Sequence, residues 1–309
     1  YSPTVEDITT LTPTNTVTYA YENADWKDQL TSFNGEAITY DAIGNPLTYR
    51  GMTLTWQNGR QLATLSKEGL TASYTYDESG LRTSKTINGI TTEYYWNGSQ
   101  LLGQKTGDSY LYFLYDERGL LVGVNDGTKT YIYTRNLQGD VIAVTDTATG
   151  NTVAQYTYDS WGNVLTATGE MAEVNPFRYR GYYYDTEIGL YALQSRYYDP
   201  QTGRFLNLDD LDTLTATPKD LTDKNLYAYC DNNPIVRGDQ DGEFWNILVG
   251  AVIGGGLELA GQLISGKSFS EVNWKKVGVA TISGGITAAV GPVGGCLVSG
   301  ATDLAMDAI

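Results

Sequence analysis

The chain has 309 residues, enough for one large domain or two modest ones, and a formal net charge of −16. That acidity argues against a nucleic-acid partner, whose phosphates need clustered Lys and Arg. The absence of histidine removes Ser-His-Asp triads, Cys-His dyads and His-based zinc sites together, so any chemistry must run on carboxylates, hydroxyls, Lys or Cys. The two cysteines, Cys230 and Cys296, lie far apart in unlike contexts and read as small buried apolar residues, not as a disulfide. Beginning at Tyr1 with no methionine and no signal-like apolar stretch, the chain reads as a piece of a longer polypeptide whose targeting signals lie upstream.

The first predicted elements are repeats. Twenty-five tyrosines and 35 glycines point to many short strands and turns. One unit recurs about every 20 residues: an aromatic, often followed by Asp, then Gly two or three residues on, then a short apolar strand. It occurs at Tyr40-Asp41 with Gly44, Trp56 with Gly59, Tyr76-Asp77 with Gly80, and Tyr95-Trp96 with Gly98. It returns at Tyr115-Asp116 with Gly119, Tyr133 with Gly139, and Tyr158-Asp159 with Gly162. Period-two runs such as residues 71–76 and 152–158 put aromatic and apolar side chains on one face. Asp bonds nearby backbone N–H groups and Gly supplies positive φ, so each unit is an antiparallel hairpin. A hairpin cannot bury its apolar face alone, so neighbours stack into a continuous, twisting sheet. The Tyr-Asp pairs are structural on this reading: Tyr packs between hairpins and Asp caps its turn.

The repeat resembles the YD repeat of bacterial Rhs and wall-associated proteins, of the C subunits of insecticidal Tc toxin complexes, and of animal teneurins. A second stretch strengthens the resemblance. Tyr182 to Asp185, Gly189-Leu190-Tyr191, Arg196-Tyr197-Tyr198-Asp199-Pro200 and Gly203-Arg204-Phe205 are similar to the Rhs-associated core, and residues 225–234 match its next segment. Repeats and core together cover most of residues 30–242. The resemblance implies a mainly β protein in which stacked hairpins form part of a spiralling shell, a core plug closes it, and a Gly-rich helical tail follows. The implied division is residues 1–174 as shell segment, 175–243 as core, and 244–309 as the start of a toxin, pretoxin or membrane-active region.

In many relatives the core is described as an aspartate-dependent self-cleaving segment. Two carboxylates held close share a proton, so one acts as base toward water and the other as acid. Carried over by motif, the candidate residues are Asp209, Asp239, Asp241 and Arg204, with the scissile bond after Glu243. The pattern departs at three places, where Asp210 and Gln240 replace prolines and Glu243 replaces a leucine. The alternative is that these aspartates cap turns in a purely structural plug. The acidic run Asp209, Asp210, Asp212 lacks the spacing of a calcium loop, and no cofactor or metal is implied.

After Gly242 the composition turns apolar and glycine-rich. Residues 244–264 read as one helix, and Ser268 with Glu271 has the spacing of a capping box for a second. Residues 277–299 contain no charge and are long enough to span a bilayer. A packed helical hairpin, membrane insertion and a segment without a role remain as readings. The implied partners are upstream repeats and a toxin segment of the same polypeptide, an immunity protein, and a membrane through residues 244–309. Secretion or cell-surface association follows from the resemblance. A different class of function, adhesion to cell-wall or surface glycans, is favoured if Trp56, Trp96 and Trp161 share an exposed outer face, and disfavoured if they are buried between hairpins.

Overall fold

The structure is a computed structural model that describes residues 16–208 and 225–235, together with Arg237 and Asp239. Strands β1 (Tyr19–Ala20), β2 (Ser32–Phe33) and β3 (Glu36–Ala37) form a small entry sheet. The main sheet follows with fourteen strands in unbroken chain order. They are β4 (Thr39–Tyr40), β5 (Pro46–Tyr49), β6 (Met52–Gln57), β7 (Gln61–Lys67), β8 (Leu70–Tyr76), β9 (Arg82–Ile87) and β10 (Ile90–Asn97). After these come β11 (Gln100–Thr106), β12 (Ser109–Tyr115), β13 (Leu121–Asn125), β14 (Thr130–Arg135), β15 (Val141–Asp146), β16 (Thr152–Tyr158) and β17 (Val164–Thr168). A separate four-stranded sheet comprises β18 (Tyr183–Asp185), β19 (Leu190–Leu193), β20 (Arg196–Asp199) and β21 (Arg204–Phe205).

The repeat chemistry builds the large sheet directly. Oδ1 of Asp41, Asp77, Asp116 and Asp159 each accepts the backbone N–H groups two and four residues later, at 2.9 to 3.0 Å. The glycine three residues on adopts positive φ, between 78° and 90° in these four copies, which L side chains avoid. Before each turn the ladder slips by one residue, at Tyr40, Trp56, Tyr76, Trp96, Tyr115, Arg135 and Tyr158. Such a bulge bends its strand and raises the local twist. The side chain at the slip reaches back over the sheet to an earlier carbonyl: Tyr76 to Leu62, Trp96 to Arg82 and Tyr115 to Leu101, at 2.8 to 3.1 Å. In the Tyr133 copy this position is taken by Arg135, whose Nη1 bonds Leu121 O at 3.2 Å, and Asn136 replaces the aspartate.

Bending repeated at each of these slips curls the sheet around the four-stranded core. At one end of the sheet, Tyr49 and Arg50 bond the Asp199 carboxylate at 2.7 Å. At the other end, Asn163 Nδ2 bonds the carbonyl of the adjacent Pro200 at 2.9 Å. Laid flat, β5 and β17 would stand roughly 58 Å apart at about 4.8 Å per strand, yet both ends meet one dipeptide. The inward residues of the sheet and those of the core share continuous apolar clusters, with Leu54, Leu65 and Tyr74 beside Leu190 and Tyr197, and Val124, Val144 and Tyr156 beside Phe177 and Tyr183. The outer face carries threonine pairs such as Thr55 with Thr64 and Thr157 with Thr166.

Cys230 is buried, while Cys296 lies outside the described residues. The same holds for residues 244–309, where the expected helical tail and the uncharged stretch 277–299 fall. Among the described residues no helix is long and apolar enough to cross a membrane.

Candidate functional site

Buried charge fixes the core inside the curl. Asp185 is fully buried and receives Arg82 through Nη1 and Nη2 at 2.6 and 3.2 Å, and Lys85 Nζ at 2.8 Å. Arg82 also bonds the hydroxyls of Tyr197 and Tyr94 and lies 4.8 Å from the centre of the Tyr94 ring. Burial alone would raise the Asp185 pKa, but the two cations beside it outweigh burial and hold the carboxyl below its ordinary value. A second clamp joins Asp199 to Arg50 and Tyr49. A third joins Asp140 to the backbone N–H of Arg180 at 2.9 Å.

Between the concave sheet and the core lies a cavity of about 780 Å³. Its wall includes Arg60, Arg82, Arg135, Arg180 and Arg196, and among the described residues no carboxylate lines it. In a chain of net charge −16 this wall is a local reversal of sign. Burial lowers the Arg135 pKa below its ordinary value, with Asp140 opposing, and its guanidinium is held by the carbonyls of Gly139 and Leu121.

The candidate residues fall unevenly on this frame. Asp239 is buried behind the wall: its carboxylate meets Arg196 Nη2 at 3.3 Å, and its backbone N–H donates to Tyr182 Oη at 3.0 Å. Arg196 and Tyr182 both line the cavity. Arg196 is itself held by the Leu226 carbonyl at 3.3 Å and lies 3.6 Å from the centre of the Phe205 ring. Burial pushes the Tyr182 hydroxyl pKa well above its ordinary value, so it stays protonated, with Tyr229 Oη at 2.9 Å. Asp209, Asp241 and Glu243 lie outside the described residues. Leu208, which precedes Asp209, lines the cavity, and its carbonyl accepts Arg60 Nη1 at 3.3 Å.

Arg204 is placed elsewhere. Its guanidinium bonds Tyr21 Oη, the Asp28 carbonyl and Asn225 Oδ1 and packs over the Tyr21 and Tyr227 rings, tying the entry segment to the loop after residue 224. The arginine beside Asp239 is Arg196, which sequence reasoning quoted within the core motif without giving it a role. Its signal was its place in Arg196-Tyr197-Tyr198-Asp199-Pro200. Choosing it over Arg204 requires the distance to Asp239.

The three tryptophans that bear on adhesion are half-buried and turned to structural partners. Trp56 and Trp96 pack on the interior clusters and donate Nε1–H to the carbonyls of Pro46 and Arg82, at 2.7 and 2.8 Å. Trp161 packs on the core cluster around Tyr198.

A curled sheet of hairpin repeats, gripping a small core through buried aspartates with a cavity between them, defines a repeat-shell protein. The chain belongs to the Teneurin YD-shell family, whose model matches residues 6–235, and is thus a YD-repeat, Rhs-type protein. It is 40% identical over 232 residues to the tRNA nuclease WapA of Bacillus subtilis, covering 72% of this chain and 10% of that protein. It is 39% identical over 232 residues to the tRNA3(Ser)-specific nuclease WapA of Bacillus spizizenii, with the same coverage of 72% and 10%. The chain therefore spans about a tenth of the length of these relatives. Its fold matches the crystal structure of TcdB2-TccC3-Cdc42 with a TM-score of 0.54 at 20% identity, over 74% of this chain and 13% of that one.

Proposed function

We propose that this chain is the C-terminal portion of the shell of a secreted polymorphic toxin, which encloses a toxin segment and separates from it by aspartate-dependent self-cleavage. In this reading residues 1–174 are wall, 175–243 are the core that closes it, and 244–309 begin the enclosed cargo. The observation that carries the proposal is Asp239, buried against Arg196 and Tyr182, which both line the cavity, while Asp209 follows in sequence on another lining residue, Leu208. On this proposal Asp239 and Asp209 supply base and acid for hydrolysis of the bond after Glu243 without a cofactor. Arg196, which holds the Asp239 carboxylate, orients it in this proposal, while Arg204, the arginine carried over by motif, stands on Tyr21, Asp28 and Asn225. Asp241 stands two residues closer to the scissile bond as the other candidate carboxylate.

The family supports the toxin context, and the named WapA relatives are nucleases. Upstream repeats, the cargo, an immunity protein and a membrane contact through residues 244–309 are partners within this proposal. The glycan-adhesion alternative loses its main support, since Trp56, Trp96 and Trp161 are engaged in packing.

Intact mass on freshly purified protein, with Asp209→Asn, Asp239→Asn and Arg196→Ala beside it, tests the cleavage. A break after Glu243 in the parent that Asp209→Asn and Asp239→Asn abolish and Arg196→Ala slows is the expected result. An uncut parent leaves the core as a structural plug.

A further inference from the structure

We propose that Arg135 is a carboxylate-binding group in the cavity wall, and that the cavity takes a monoanion with an apolar or aromatic body. The site does not depend on self-cleavage.

The slip position of each hairpin has one structural task, to donate to a backbone carbonyl earlier in the chain. Tyr40 bonds Leu30, Trp56 bonds Pro46, Tyr76 bonds Leu62, Trp96 bonds Arg82, Tyr115 bonds Leu101 and Tyr158 bonds Val141, at 2.7 to 3.1 Å. A tyrosine hydroxyl or a tryptophan indole has a single hydrogen to give, and the carbonyl takes it. Arg135 meets the same need with Nη1, which donates to the Leu121 carbonyl at 3.2 Å, while its Nε donates to the Gly139 carbonyl at 2.9 Å. A guanidinium carries five N–H groups. Among the described residues Nη2 meets no acceptor, and no carboxylate forms an ion pair with Arg135. The one copy that departs from an aromatic therefore keeps a donor and a charge that the repeat does not use.

Space is left around that nitrogen. A Cβ on Gly139 would stand 2.9 Å from Nη2, and one on Gly181 3.2 Å from it. Gly181 lines the cavity, as do Arg135 and Leu121, so the spare nitrogen stands at the cavity wall. Counter-charge is what it lacks. In the same wall Arg82 is paired with Asp185, Arg196 with Asp239 and Arg180 with Asp140. The Asp140 carboxylate is taken up by the Arg180 backbone N–H and by Asn136 Nδ2. Burial accordingly lowers the Arg135 pKa against the pull of Asp140, whereas at Arg82 burial is overcome by Asp185 and the pKa stands well above its ordinary value.

A half-buried guanidinium of this kind is stabilised by one negative charge, and a carboxylate oxygen accepts its N–H groups in a charge-assisted bond. A dianion would bring a second charge that the paired cations around it do not balance. Trp96, Tyr115, Leu121 and Phe177 also line the cavity, which suits an apolar or aromatic body. Its volume of about 780 Å³ is that of an ordinary small-ligand pocket.

The test titrates the full chain with phenylacetate and with its neutral counterpart phenylacetamide, by calorimetry. The expected result is that the parent binds the acid about 10- to 100-fold more tightly than the amide, the range for a hydrogen bond to a charged group. Arg135→Tyr installs the residue that other copies use, keeps a donor for the Leu121 carbonyl, and removes Nη2 with its charge. It should lower phenylacetate affinity to that of the amide while melting close to the parent. Equal affinities for acid and amide in the parent overturn the proposal, and so does phenylacetate binding that is unchanged in Arg135→Tyr. If Arg135→Tyr melts well below the parent, Arg135→Gln, with an amide donor and no charge, repeats the titration. Binding lost only together with a second fall in melting temperature marks Arg135 as structural and overturns the proposal. A capped hexapeptide with one glutamate, set against its glutamine counterpart, identifies the source of the carboxylate. Tighter binding of the glutamate peptide than of phenylacetate assigns the site to a side chain of an extended polypeptide, and the reverse assigns it to a free acid. Either order sustains the proposal, and binding of neither overturns it.

Discussion

The large sheet and the small core are both antiparallel and tyrosine-rich, but they are stabilised on different principles. The sheet repeats one inexpensive device. Its turns are closed by exposed or half-buried aspartates bonded to their own backbone, so each turn is encoded and held locally. The core has few strands and relies on side chains brought from far along the chain: Arg82 and Lys85 to Asp185, Arg50 to Asp199, and the Asp140 carboxylate to Arg180. Damage to the sheet should therefore be local and modest, and damage to the core large and global. A shell that tolerates variation in repeat number needs the first property. A core that must hold a buried aspartate in fixed geometry needs the second.

The largest effect should come from breaking the Asp185 clamp. Asp185→Ala leaves Arg82 and Lys85 buried without their carboxylate, and removing one partner of a buried pair costs about 3–5 kcal/mol. Denaturant unfolding of the two proteins measures it. The loss should depend on pH. Because the folded pKa of Asp185 is held below the unfolded value, the clamp is at full strength above the unfolded value of about 4 and fades as pH falls through the lowered folded value. The gap between parent and Asp185→Ala should therefore narrow in acid below about pH 4. On the alkaline side, burial pulls the Lys85 pKa down, but Asp185 and neighbouring groups lift it above its ordinary value. Its share is complete below the unfolded value of about 10.4 and is lost as pH rises through the higher folded one. A gap constant from pH 3 to pH 7 would show that ionisation of Asp185 does not drive the clamp.

These two regions were not equally legible in the sequence. Tyr76, Asp77 and Gly80 announce their hairpin because strand, turn and bulge are all encoded within a few residues, and the copies check one another. The Tyr133 copy shows the limit. Tyr133 is an aromatic near the expected place, yet the residue at the slip is Arg135, whose guanidinium does the work of a tyrosine hydroxyl. In the core, the motif residues were visible but their partners were not. Nothing local to Asp185 points to Arg82, 103 residues earlier. Arg196 and Arg204 look alike in one motif, and only the fold sends the first to Asp239 and the second to Asn225.

A glycine pair sharpens the contrast at intermediate magnitude. Gly59 and Gly162 both close turns, with φ of 86° and 90°. A Cβ added at Gly59 meets nothing within 4 Å, whereas at Gly162 it would stand 2.6 Å from the Tyr179 ring. Alanine at either site incurs the left-handed backbone penalty of about 1–2 kcal/mol. At Gly162 the overpacking of a core tyrosine adds about 1–3 kcal/mol. Gly162→Ala should therefore unfold at clearly lower denaturant than Gly59→Ala. Equal midpoints would mean that the turn and the core are not coupled through Tyr179.

The smallest expected change separates geometry from charge in the repeat itself. Asp77 Oδ1 accepts the N–H groups of Ser79 and Leu81 and the Ser79 hydroxyl, and these bonds, the hydroxyl first, hold its pKa below the ordinary value. Asp77→Ala removes them from an exposed turn where water replaces part of the loss, so the cost should be about 1 kcal/mol. Asp77→Asn keeps the accepting oxygen and drops the charge. The Arg135 copy already carries that exchange, with Asn136 Oδ1 taking the N–H groups of Gln138 and Asp140 at 3.0 and 2.9 Å. Asp77→Asn should accordingly unfold within a few tenths of a kcal/mol of the parent at pH 7. If Asn proves as damaging as Ala, the repeat aspartates act through their charge, and the sheet is less unlike the core than its geometry implies.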